Sequence, residues 1–110
     1  MKKLVLAILA VTLPMAALAT TWKDVPLVDH NCAEKVKANP DAHTTACLVQ
    51  CASSGYGILD HGKWIALDKA GDEKALAALK ATKRTDHIRV DVTGEQKGSV
   101  IQVASLRIPD

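Results

Sequence analysis

The chain has 110 residues, with 14 basic and 12 acidic side chains and only two Trp and one Tyr as aromatic rings. Without Lys2 and Lys3, which fall in a predicted leader, the 14 basic residues drop to 12 and balance the 12 acidic ones. A near-neutral chain whose one basic cluster is Lys80, Lys83 and Arg84 excludes nucleic acid as the expected partner, because phosphate backbones call for clustered positive charge and bases for aromatic platforms.

The leader reads Met1-Lys2-Lys3, an uncharged run from Leu4 to Leu13, then Pro14-Met15-Ala16-Ala17-Leu18-Ala19. A basic start, a short apolar run and small residues at Ala17 and Ala19 predict a signal peptide over 1–19, cut after Ala19. The run is too short to span a bilayer, which takes about 20 residues. No membrane anchor is therefore expected after cleavage, and the expected address is the periplasm or the outside. Residues 20–110 make one small domain, of a size that often needs a staple. Exported compartments are oxidising, and three cysteines cannot all pair within one chain. At least one is free, metal-bound or paired between chains.

Val25 to Asp29 reads as a first strand after a loose start, with Pro26 suited to an edge or first strand position. Asn31 caps a predicted short helix from Cys32 to Ala38, which Asn39-Pro40 ends. A second helix starts at Asn39 to Asp41 and runs to about Ser53, with Gly55 as its stop. Tyr56–Asp60 and Lys63–Asp68 flank His61-Gly62 as a hairpin. Lys69-Ala70-Gly71 reads as a break, and Asp72 then caps a helix to about Thr82 with Leu76 and Leu79 on one side. Ile88, Val90 and Val92 alternate as a half-buried strand, Gly94 to Gly98 is a turn, and Ser99–Ile108 is the last strand. The phase of that strand slips near Ala104-Ser105, which predicts a β-bulge. Five strands with a helix between the third and fourth give an α+β class: a five-stranded OB-fold-like small barrel, its cysteine-bearing helices inserted after the first strand.

The tail Ile88-Arg89-Val90-Asp91-Val92-Thr93-Gly94 with Ile101-Gln102-Val103-Ala104-Ser105-Leu106 looks like the end of small secreted bacterial OB-fold proteins. The H-x3-C-x3-C segment and the Asp60-His61-Gly62-Lys63 turn resemble exported bacterial proteins of unassigned function. The resemblance implies a fold and an exported address, and brings no activity with it.

The chemistry gathers at His43, Cys47 and Cys51, with Cys32 upstream. On a continuous helix the three fall at about 100°, 140° and 180°, a stripe on one side. Three thiolates and an imidazole form a tetrahedral zinc set, and soft thiolates also suit copper(I). His43 and Cys51 stand about 12 Å apart along a straight helix, so His43 joins only if the helix bends or starts late, and His30 is the alternative ligand. The competing reading is a disulfide from Cys32 to Cys47 or Cys51, Cys32–Cys47 being the one expected, worth about 3 kcal/mol and stapling a module that holds a peptide or glycan on a barrel face around Trp64 and Tyr56. A third reading is a thiol–disulfide redox protein. Zinc or copper is the only cofactor expected, a small ligand or a protein is the open partner class, and no enzyme is expected.

Overall fold

The computed structural model describes residues 19–109, so the predicted leader lies outside the described residues except for Ala19. Strand β1 runs Thr20–Asp29, β2 Tyr56–Asp60, β3 Lys63–Leu67, β4 Arg89–Lys97 and β5 Val100–Arg107. They close into one barrel in the order β1-β2-β3-β5-β4. Every neighbouring pair is antiparallel except β3 and β5, which meet in parallel through Ala66 with Val100 and Leu67 with Ile101. Helix α3, Lys69–Ala81, lies between β3 and β4 in the chain. This is the OB-type barrel with the inserted helical segment that the element order predicts.

The first strand serves two neighbours. Thr20 to Pro26 pair with β4, and Leu27 to Asp29 pair with β2. The register shifts between Trp22 and Val25, and Asp24 there takes φ 54°. Its N–H donates to Asp91 Oδ1 at 3.0 Å, which pins the irregular turn of chain to β4. The strand thus begins at Thr20, five residues earlier than hydropathy suggests, because Thr20-Thr21 pair by backbone with Gly94 and Thr93 rather than by apolar burial.

Alternation along the strands sorts residues between two clusters. Leu27, Ile58, Ile65, Leu67, Val90, Val92, Ile101 and Val103 fill the barrel, joined by Ala75 and Leu79 from α3. Val28 and Leu59 form the smaller cluster, packed with Ala33 and the half-buried Val36 and Trp64. Each fully buried Leu or Ile contributes about 1.5–3 kcal/mol.

Three local readings are corrected. Asp68, not Asp72, caps α3: its Oδ1 accepts the N–H of Gly71 at 2.9 Å and of Val103 at 3.3 Å. Gly71 is inside the helix rather than a break, because a Cβ there would meet Val103 Cγ2 at 2.6 Å and Leu67 Cβ at 2.8 Å. The last turn is Gly98-Ser99, with Gly94 to Lys97 in strand. The hairpin at His61-Gly62 is as expected, both residues at positive φ. So is the bulge: Thr93 faces Ser105 and Gly94 faces Val103, leaving Ala104 unopposed. No helix among the described residues is long and apolar enough to cross a membrane.

Candidate metal centre

The inserted segment starts where β1 ends. Asp29 is fully buried and caps a 3₁₀ turn over His30–Cys32, its Oδ2 accepting the Cys32 N–H at 3.1 Å. Helix α1 is a single turn, Ala33–Val36, followed by a second 3₁₀ turn at Pro40–Ala42. Helix α2 covers only Thr45–Gln50. Thr44 caps it, Oγ1 accepting from the Cys47 N–H at 3.2 Å. The long helix predicted over the H-x3-C-x3-C segment is therefore broken in front of Thr44. A threonine hydroxyl offers the first turn a better start than residues behind it.

That break moves His43. It stands in extended backbone, φ −74° and ψ 123°, outside α2. Its ring turns inward, and Nε2 lies 2.7 Å from Asp29 Oδ1. The imidazole thus serves the buried carboxylate rather than a thiol.

The turn bearing Cys32 docks on the C-terminal end of α2, not alongside it. The His30 N–H donates to Gly55 O at 2.9 Å, and the Asn31 N–H to Ser54 Oγ at 3.3 Å. Ser54 Oγ in turn donates to Cys51 O at 2.8 Å. Cys51, at the end of α2, therefore meets Cys32, while Cys47 in the first turn stays exposed. One carboxylate oxygen of Asp29 and the sulfurs of Cys32 and Cys51 all lie within 4.8 Å of one another. Donor atoms on a tetrahedral zinc stand about 3.3–3.8 Å apart, given bonds of 2.0–2.3 Å. The three are close enough to hold an ion.

The carboxylate is buried and the two thiols are half-buried. Burial raises the pKa of the Cys32 thiol, helped by the Asp29 charge, the hydrogen bond to Asp29 and the neighbouring Cys51. Tyr56 faces Asp29 across the β1–β2 pair. Its hydroxyl donates to Leu48 O at 2.7 Å, and burial, with Asp29, Asp72 and Cys51 nearby, pushes it up to about 12.

Of the residues singled out by sequence, the structure brings Cys32 and Cys51 together and puts His43 next to their shared carboxylate. Cys47 is outside the group. The expected Cys32–Cys47 bond is not formed: all three cysteines are free, and Cys47 faces solvent because the Cys32 turn packs at the other end of its helix. His30 is exposed and lies over Trp64, ring centres 5.2 Å apart, so it is no ligand here. Tyr56 is buried, which takes it off the barrel face a peptide or glycan would use. Asp29 escaped the sequence reading as the last residue of a strand. Its signal was the spacing Asp29-x-x-Cys32, that of an aspartate capping a turn whose third residue is a thiol. Comparison with family models, curated proteins and solved structures finds no match to this chain.

Proposed function

We propose that this is an exported, non-catalytic protein that binds a soft transition metal, zinc or copper(I), through Asp29, Cys32 and Cys51. The observation that carries the reading is the convergence of two thiols on one fully buried carboxylate. Thiolates suit copper(I) and zinc, and zinc also accepts a carboxylate oxygen. His43 would act behind the ligands, fixing the orientation of Asp29 as outer partners of metal ligands do. Three protein donors leave one position of a tetrahedral zinc to solvent, a set suited to holding and passing on an ion. The export half of the reading rests on the leader pattern at Met1 to Ala19.

The test is titration of the fully reduced protein with zinc and with copper(I), read by native mass spectrometry. One ion per chain is expected. Asp29→Asn, Cys32→Ser and Cys51→Ser should each lower affinity at least about tenfold, and His43→Gln about 10- to 100-fold. Cys47→Ser should bind as the wild type does. Binding that needs Cys47 and ignores Cys32 would sink the reading.

A further inference from the structure

We infer that Cys32 and Cys51 are a redox pair, which a disulfide oxidant joins in one intramolecular bond, and that this bond shuts the metal site. The shutting rests on the metal reading above; the bond itself does not.

The two sulfurs lie within 4.8 Å of each other. Both are partly buried, and Cys47, the third thiol, is exposed and outside their group. Their proximity is preset by one backbone bond and by the Ser54 hydroxyl. His30 N–H on Gly55 O, Asn31 N–H on Ser54 Oγ and Ser54 Oγ on Cys51 O clamp the turn holding Cys32 to the end of the helix holding Cys51. Both sulfurs are thus brought together by a frame that does not depend on an ion. Joining them takes an approach from within 4.8 Å to about 2.05 Å between two sulfurs of the segment that links β1 to β2.

The chemistry is thiol–disulfide exchange with a small disulfide, RSSR. The thiolate of one cysteine attacks RSSR, forms a mixed disulfide and releases RS⁻. The other cysteine sulfur then attacks the protein sulfur of that mixed disulfide, closing Cys32–Cys51 and releasing the second RS⁻. The two protons given up by Cys32 and Cys51 end on the two RSH. The protein pair is oxidised by two electrons and RSSR is reduced by two. Thiolates, not disulfide sulfurs, ligate zinc and copper(I), so the bond removes two of the three donors. A reducing dithiol returns them.

The experiment uses the reduced, metal-free protein and oxidised glutathione. A chain lighter by two hydrogens is expected, with one titratable thiol left after denaturation and the bond mapped to the Cys32 and Cys51 peptides. Cys47→Ser keeps both target thiols and an intact core, and it should form the same bond with no thiol left. A bond mapped to Cys47, a bond between chains, or three thiols remaining overturns the inference. The oxidised Cys47→Ser protein should bind zinc at least about 100-fold more weakly than its reduced form. Unchanged zinc affinity after oxidation overturns the shutting. A reduced protein that forms the bond and yet binds no metal overturns the metal reading and leaves the redox pair standing.

Discussion

His43 Nε2 and Asp29 Oδ1 are 2.7 Å apart, with the aspartate wholly shielded from water and the histidine nearly so. A carboxylate in such a place needs every partner it has. Asp29 has the imidazole on one oxygen and the Cys32 N–H on the other. His43→Ala should therefore cost about 3 kcal/mol. For a domain of this size that lowers Tm by about 12 °C or more. Asp29→Asn removes the charge and should cost less. In a double-mutant cycle the two should couple by more than about 1 kcal/mol, and additive losses would show that the pair is not a unit.

Tyr56 is the sole tyrosine, so phenolate absorbance has one source. Its hydroxyl is held up to about 12 by burial first and by Asp29, Asp72 and Cys51 next. A folded-state value above the unfolded one, near 10, means the neutral hydroxyl contributes stability below about pH 10. That contribution is lost as pH rises toward 12. Native protein should show no phenolate absorbance at pH 10.5, and urea-unfolded protein should show most of it. Tyr56→Phe should cost about 1 kcal/mol at neutral pH and flatten the alkaline loss of stability.

Arg89 grips Asp41 with Nε on Oδ1 at 3.0 Å and Nη2 on Oδ2 at 3.2 Å, and places Nη1 on Asp24 O at 2.9 Å. The hydrogen bond to Arg89 holds the Asp41 carboxyl below its ordinary range, against a smaller opposing effect of burial. Its folded value lies below the unfolded one, near 3.9. The pair thus gives its full stability above about pH 4 and loses it as pH falls through the folded value. The two groups are partly exposed, so the contribution is about 1 kcal/mol or less. Asp41→Asn should lose less stability than the wild type between pH 5 and 3, as read from urea midpoints. Equal losses would remove Asp41 from the acid limb.

Two glycines should differ in what alanine does there. At Gly94 a Cβ would collide with the carbonyl oxygen of Gln102 on β5, beside the bulge at Ala104. Backbone cannot rotate away as a side chain can, so Gly94→Ala should cost about 2 kcal/mol or more. At Gly62 a Cβ would meet nothing within 4 Å, and only φ +78° opposes it. Gly62→Ala should cost about 1 kcal/mol. Denaturant unfolding of both variants ranks them.

Much of the barrel was legible in the sequence because its signals are local. Period-two alternation at Ile88, Val90 and Val92, the His61-Gly62 turn and the phase slip at Ala104 each depend on neighbours in sequence. Gly71 misled because its reason is tertiary: the helix lies so close to Val103 and Leu67 that only hydrogen fits. The site was half legible. The thiols announce themselves by type, but which two meet depends on which end of α2 the Cys32 turn packs against. That is decided by hydrogen bonds from the His30 and Asn31 N–H groups to Gly55 O and Ser54 Oγ, contacts that no hydrophobic pattern displays. Asp29 was hidden for the same reason: an acid at a strand end normally faces water, and this one is turned inward to a histidine far along the chain.

Leu48 of α2 is fully buried in the barrel core, and the next turn of the same short segment carries Cys51. The Tyr56 hydroxyl donates to the Leu48 carbonyl. The segment that buries Leu48 in the core is therefore the one that presents the thiol. Whatever binds there and not to the unfolded chain must raise the melting point by mass action, about 2.7 kcal/mol at a free ligand concentration 100 times its Kd. By the same reciprocity, a core substitution at Leu48 must weaken that ligand if it loosens the segment that carries Cys51.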